Sequence, residues 1–379
     1  MKKKILVWAY FTKNAGDDLF LKILFDRYPN VEWDLLTANR NYKNVFRDYK
    51  NVNILYTYRD INFGKRKLNL FFKINDFFNF KNYDALVNIG GSIFKQNKAW
   101  KIRLNEREYL LKTFKKFNKK VFVIGANFGP FEDGIFMEKY QEIFPDYDDI
   151  CFRDTFSYNI FKHLDNIRVA PDVVFTLDIK QPAIKEKSVG LSLIDIENRD
   201  GLKEYYHDYN QKMIELIELY SKLKYKIKLF SFCEYEGDLK ICQKIANTES
   251  FKKLDIEVIS YCGNLDLFLE KFKSCEIIIG TRFHSIILAL SFKQSVFPIV
   301  YSDKTFNVLK DLKLDNYFSF ICDIEKLDLQ SVIKNIKHNC IKNKEVFLQA
   351  EMQFEKLDLF IGEFNHNDKS LGKYETKVM

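Results

Sequence analysis

Proline and glycine are scarce, at 6 and 14 residues in a chain of 379. That shortage argues against long flexible linkers and excludes a collagen-like or low-complexity chain. No stretch reaches about 18 consecutive apolar residues, so no membrane-spanning helix is expected. The start, Met1-Lys2-Lys3-Lys4 followed by the apolar run Ile5–Phe11, has the look of a signal peptide. However, the run is short, gives way to the polar Thr12–Asp18 and lacks a small-residue cleavage site, so a buried first strand explains it better. The seven cysteines are odd in number and scattered, with no C-x-x-C and no zinc spacing. A reduced, cytoplasmic protein with free thiols and no metal is expected. Two nucleotide fingerprints are also missing: neither G-x-G-x-x-G nor G-x-x-x-x-G-K-[ST] occurs.

Aromatics and lysine, by contrast, are plentiful. There are 37 Phe and 21 Tyr, and 60 basic residues against 52 acidic ones give a net charge of +8. An A+T-biased genome would give the same excess. The charge favours an anionic partner: a phosphorylated substrate, a lipid headgroup or nucleic acid. Five histidines in the whole chain make each one informative.

Strand-like runs alternate with amphipathic stretches. Lys4–Tyr10, Glu32–Thr37, Val52–Tyr58, Asp84–Ile89, Lys120–Ala126 and Ile150–Arg153 read as strands, and Asp17–Arg27 as a helix. A polar stretch, Asp178–Lys187, follows. The alternation restarts at Ser188–Ile194 and continues through a helix near Leu202–Leu223 and strands Lys226–Phe232, Ile256–Ser260, Glu276–Ile279 and Val296–Val300. The tail from Asp323 to about Phe364 reads as helical. Repeated β-α units predict an α/β fold of two Rossmann-like domains, 1–180 and 188–379 with the C-terminal helices. Their expected arrangement is GT-B-like, with a ligand cleft between the lobes. Ligands in such sheets lie at the carboxyl ends of strands, so the loops after the strands carry the weight.

Those loops are distinctive. Asn14-Ala15-Gly16-Asp17-Asp18 follows the first strand, where glycine gives turning room and a helix start offers N–H groups to an anion. Gly90-Gly91-Ser92 and Gly125-Ala126-Asn127 leave room for close approach of a ligand to the backbone. Arg153-Asp154 offers either a guanidinium fork for a carboxylate or phosphate or an ordinary ion pair. Asp238 sits at a helix start, as a cap or as a partner for a sugar hydroxyl. Gly280-Thr281-Arg282-Phe283-His284 places a histidine at a strand-to-helix junction, where it can move a proton near neutral pH or merely cap its helix. Lys304 occupies the matching position one strand later. One segment breaks the pattern: Gly64–Lys81 mixes lysine and arginine with phenylalanine, the composition either of a membrane-surface helix or of a helix packed on the sheet. No RNA- or DNA-binding module accompanies it, so no nucleic-acid partner is expected.

In this order the loops resemble the polysaccharide pyruvyltransferase family. The resemblance rests on N-x-G-D-[DE] at Asn14–Asp18, Gly90-Gly91, Arg153-Asp154, Pro171-Asp172, E-G-D at Glu236–Asp238, G-x-R-x-H at Gly280–His284, and Lys304. It spans roughly residues 1–310. Two positions depart from the pattern: Phe283 replaces the usual Leu, and Ala15 stands where Tyr or Phe is frequent. The resemblance implies a GT-B-like enzyme that moves the pyruvyl unit of phosphoenolpyruvate onto a sugar to form a ketal, releasing phosphate, with no metal or organic cofactor. It further implies a lipid-linked glycan acceptor at the inner face of the membrane and peripheral membrane contact. The implied catalytic residues are His284 as proton donor, with Asp238 and Arg153. Arg282, Lys304, Asn14, Gly16, Asp17, Gly90, Gly91, Ser92 and Asn127 are the implied substrate contacts. Two rival readings are a nucleotide-sugar glycosyltransferase of the same architecture and a non-catalytic glycan-binding protein.

Overall fold

The computed structural model describes residues 2–9, 11–37, 39–56, 61–63, 66–68, 79–178, 185–342 and 344–362. The first sheet contains β1 (Lys4–Ala9), β2 (Glu32–Thr37), β3 (Val52–Tyr56), β4 (Ala85–Ile89), β5 (Lys120–Ala126), β6 (Asp149–Phe152) and β7 (Ile167–Val169). Its spatial order is β3-β2-β1-β4-β5-β6-β7, and every pairing is parallel. The second sheet contains β8 (Glu186–Ser192), β9 (Lys226–Ser231), β10 (Ile256–Ser260), β11 (Cys275–Gly280), β12 (Ser295–Val300) and β13 (Ser319–Phe320). It runs β10-β9-β8-β11-β12-β13, again all parallel. Each half therefore reverses its strand order beside its own first strand, and ligand crevices open at such reversals. The strand cores are continuous apolar runs, for example Leu86-Val87 in β4 and Ile277-Ile278-Ile279 in β11, because helices cover both faces of a parallel sheet.

The lobes share a core. Helix α1 (Ala15–Arg27) belongs to the first lobe, yet its Phe20 and Leu24 lie in one buried cluster with Phe230, Phe232, Phe268 and Phe283 of the second. Polar ties accompany the packing: the Ala15 N–H donates to the Phe232 carbonyl (2.9 Å) and the Tyr261 hydroxyl to Asp18 (2.7 Å). A fully buried phenylalanine contributes about 1.5–3 kcal/mol, so this shared cluster binds the halves into one unit around the cleft.

The stretch from Glu345 to Ile361, expected from the sequence to belong with the second lobe, lies on the first. Buried Gln353 receives the Gly125 N–H (2.9 Å) and donates to the Ala170 carbonyl (2.8 Å), while Arg27 pairs with Asp358 (2.7 Å) and Arg168 with Glu355 (3.0 Å). Glu355–Ile361 is helical. Of the Gly64–Lys81 segment, Arg66–Leu68 forms a short antiparallel pair with Ile61–Phe63, so this part is strand and not the helix that its composition suggested. Residues 64, 65 and 69–78 lie outside the described residues.

Candidate active site

A cavity of about 610 Å³ opens between the lobes, at the carboxyl ends of both sheets. Its first-lobe wall comes from the loops after β1, β4 and β5, and its second-lobe wall from the loops after β8, β9, β11 and β12. Of the residues singled out in the sequence, Asn14, Asp17, Ser92, Arg282, His284 and Lys304 line it. Gly16, Gly90, Gly91, Asn127, Arg153 and Asp238 do not. All but Gly90 form a supporting layer behind that wall.

Asn14 caps α1 by accepting the Gly16 N–H on its side chain (2.9 Å), which fixes the loop and presents Asp17 in the first helical turn. Gly16 is there for space: a Cβ at this position would lie 1.9 Å from His284 Nδ1. His284 lies in the first turn of helix α2 (Phe283–Ser291) and is held edge-on by Phe20 (5.5 Å) and Phe283 (5.2 Å). Its Nε2 is buried and has no hydrogen-bond partner among the described residues. Gly16→Ala is expected to tilt the imidazole and reduce turnover by about 10²-fold with little change in donor affinity. Single-turnover kinetics beside calorimetry checks this, and an unchanged rate would mean that the imidazole position does not matter.

Of the two roles left open for Arg153, the structure shows the ion pair, but buried and with another partner. It is 3% exposed and is paired not with Asp154, which caps the next helix, but with Asp172 (2.9 Å). Its other terminal nitrogen donates to Asn127 (2.7 Å), and its plane lies 4.1 Å from the Phe283 ring centre. Gly91 is the second glycine required by space, since a Cβ there would meet the Arg153 guanidinium at 2.5 Å. A polar chain then leads to the cavity: Ser92 donates to Asn127 (3.2 Å), and Lys304 Nζ donates to Ser92 (3.3 Å) across the cleft. Phe283, the departure from the family's Leu, presents a π face to both Arg153 and Lys304 (5.8 Å), which a leucine does not have.

Asp238 does not reach an acceptor. It is fully buried, both its oxygens bind Arg282, and it also accepts the Cys233 N–H (3.0 Å). The carboxylate of that loop that lines the cavity is Glu236, which bridges Arg282 and Arg199. Sequence reasoning named Glu236 only as the start of the E-G-D motif and gave it no place in the site, although it stands two residues before Asp238. It also missed Asp195, Asn198 and Arg199, which follow β8 as Asn14 and Asp17 follow β1. The signal was the pseudo-symmetry of the halves: the loop after each lobe's first strand faces the same cleft.

Charge crowding tunes these groups. Loss of water around Lys304 brings its ammonium down to about 7, helped by Arg153 and Lys95. The same cause, followed by the positive charges of Arg153, Lys304 and Arg282, holds the His284 imidazole well below its ordinary value. Burial and the Glu236 carboxylate push Asp17 up to about 6 against the pull of Lys304. The arms of Arg199 and Arg282 overcome burial at Glu236 and keep it down at about 2. At neutral pH the cavity thus holds a neutral imidazole and an ammonium near its midpoint, and a nearby anion favours the charged form of each.

Comparison with known proteins identifies the family and the fold. The family model described as "Polysaccharide pyruvyl transferase" matches residues 14–303. The amylovoran biosynthesis protein AmsJ of Erwinia amylovora is 22% identical over 301 residues, covering 73% of this chain and 70% of that protein. Among solved structures, the UDP-GlcNAc 2-epimerase of Methanocaldococcus jannaschii superposes with a TM-score of 0.59 at 15% identity, over 95% of this chain and 100% of its own. UGT89C1 of Arabidopsis thaliana does so with a TM-score of 0.59 at 11% identity, over 95% and 100%. At such identities the superpositions show the two-lobed GT-B fold alone.

Proposed function

The chain belongs to the polysaccharide pyruvyl transferase family, and on that premise we propose that it transfers the pyruvyl unit of phosphoenolpyruvate to a sugar. The observation that carries this reading is His284. A buried imidazole nitrogen without a hydrogen-bond partner among the described residues lines a cavity beside Lys304, with Arg153 and Arg282 close enough to hold its pKa down. A donor with a carboxylate and a phosphate satisfies the cations and restores the proton to the imidazole. His284 then protonates the methylene carbon C3, leaving positive charge at C2. One sugar hydroxyl attacks C2 and loses its proton; a second displaces phosphate and closes the ketal. One of the two hydroxyl protons replaces the proton spent on C3, and the other leaves with phosphate.

Lys304 and Ser92 hold the phosphate in this reading, and Asp17 receives the proton of the attacking hydroxyl. Arg153 and Asp238 act from behind the wall: Arg153 supplies a fixed positive field, and Asp238 locks Arg282. We place the acceptor on a lipid-linked glycan precursor at the cytoplasmic face of the membrane, approached by peripheral contact. No helix among the described residues is long and apolar enough to cross a membrane. The test is phosphate release from phosphoenolpyruvate with a panel of glycan acceptors, followed by mass spectrometry of the glycan. A pyruvate ketal on the acceptor is the expected product. Transfer of a hexose from a nucleotide sugar, with phosphoenolpyruvate untouched, would falsify the reading.

A further inference from the structure

A second cavity of about 550 Å³ adjoins the first and shares Ser92, Lys95 and Tyr235 with it. It lies wholly against the first lobe except for Tyr235, and its charge is of one sign. Arg40, Lys95, Arg103 and Arg107 line it, and none of its described lining residues is acidic. The first cavity, by contrast, sets Asp17, Asp195 and Glu236 among its cations. The carboxylate nearest in sequence, Glu106, is buried and bonds Arg103 (3.3 Å).

Arg107 shows that the site is built. It is only 7% exposed, and its guanidinium is sandwiched between the rings of Trp8 (4.7 Å) and Phe94 (4.8 Å). One terminal nitrogen is fixed on the Ile93 carbonyl (2.9 Å) and the other reaches the Asn88 side chain (3.4 Å). Its Nε is buried and has no acceptor among the described residues. Among the described residues its hydrogen-bond partners are neutral groups, so no carboxylate in contact cancels its charge. Keeping an arginine desolvated this way is costly unless an anion completes it. At the junction of the two cavities stands Tyr235, 87% exposed, a large aromatic face open to solvent.

We infer that the second cavity holds the phosphate-bearing end of the acceptor, a sugar attached through a diphosphate, with the sugar ring lying on Tyr235 between the cavities. This rests on the first cavity being the donor site. Two anions then sit on either side of the sugar. The diphosphate is recognised by guanidinium forks, whose planar donor pairs match phosphate oxygens. The sugar's hydroxyls face the donor across Ser92 and Lys95. Prenyl diphosphates and nucleoside diphosphates share this chemistry.

Inorganic pyrophosphate is the first probe, titrated by calorimetry into the full chain, an Arg40→Gln/Arg103→Gln variant and a Lys304→Ala variant. Arg40 is exposed and the Arg103 side chain is 39% exposed, so both substitutions are expected to leave the fold intact, with melting temperature as the check. The arginine variant is expected to lose at least about tenfold in affinity at the tighter pyrophosphate site, and Lys304→Ala to keep that site and lose only binding in the first cavity. The reverse pattern, or no loss in the arginine variant, overturns the inference. Neither titration involves phosphoenolpyruvate, so this failure is distinct from failure of the pyruvyl-transfer reading. In a second arm the same sugar is offered as a prenyl diphosphate, as a nucleoside diphosphate and free. Tighter binding of either diphosphate, abolished in the arginine variant, supports the inference and identifies the carrier; equal binding of the free sugar overturns it.

Discussion

Replacing His284 by alanine is expected to lower single-turnover pyruvyl transfer by about 10²–10⁴-fold, the usual contribution of a positioned acid–base group, while phosphoenolpyruvate still binds. The imidazole starts neutral because burial and three neighbouring cations disfavour its charged form. Donor binding supplies negative charge and reverses that bias. Groups whose pKa rises on binding take up protons, and affinity falls as pH rises through their free-site values. Lys304 sits at about 7 in the free site and His284 lower. The wild-type protein is therefore expected to bind the donor with net proton uptake near neutral pH and to lose affinity as pH rises above about 7. Calorimetry in buffers of different ionisation enthalpy reads the uptake directly. His284→Ala is expected to remove the imidazole's share and leave that of Lys304. Near-normal turnover in this variant would return His284 to a packing role, with Asp17, whose carboxyl is pushed up to about 6, the next group to replace.

The loops that carry this chemistry were legible because they sit where parallel sheets place ligands. Asn14, Asp17, Ser92, Arg282, His284 and Lys304 were each readable as residues following a strand, and all six line the cavity. Which charges face ligand and which face each other was not legible. Arg153 and Asp238 sit in the same kinds of loop, yet each is buried in an ion pair whose partner lies 19 or 44 residues away. Periodicity gives an element and its face, but it carries no information on such long-range pairing. The return of the C-terminal helices to the first lobe escaped for the same reason. Gln353 reveals nothing in sequence until the carbonyls of Phe152 and Ala170 are brought to it. Arg107 was invisible as a site residue because it looks like any arginine of a solvated helix. Its burial follows from Trp8 and Phe94, on two other segments, closing over it.

The Arg153–Asp172 pair is where the largest effect on stability is expected. Its side chains are 1% and 0% exposed, and the Asp172 carboxylate also caps the Val174 N–H (2.9 Å). Asp172→Ala leaves a buried guanidinium without its counter-charge, and breaking such a pair from one side typically costs about 3–5 kcal/mol. That is a large fraction of the roughly 5–15 kcal/mol by which a protein exceeds its unfolded state. A marked drop in denaturant midpoint is therefore expected, with activity lost alongside it. An Arg153→Met/Asp172→Leu double substitution separates the two effects. Replacing a buried ion pair by apolar side chains of similar bulk is often neutral, so much of the stability is expected to return. Donor affinity and turnover are not expected to return, because the positive field behind His284 and Lys304 is gone, and the Lys304 ammonium is expected to move back up from about 7 once Arg153 no longer opposes it. Arg153→Lys is expected to fall between the two, since a point charge cannot hold Asp172 and Asn127 together as the planar fork does. Full activity in a stable double variant would show that Arg153 serves the fold alone and that the donor's charges are met entirely by residues of the cavity wall.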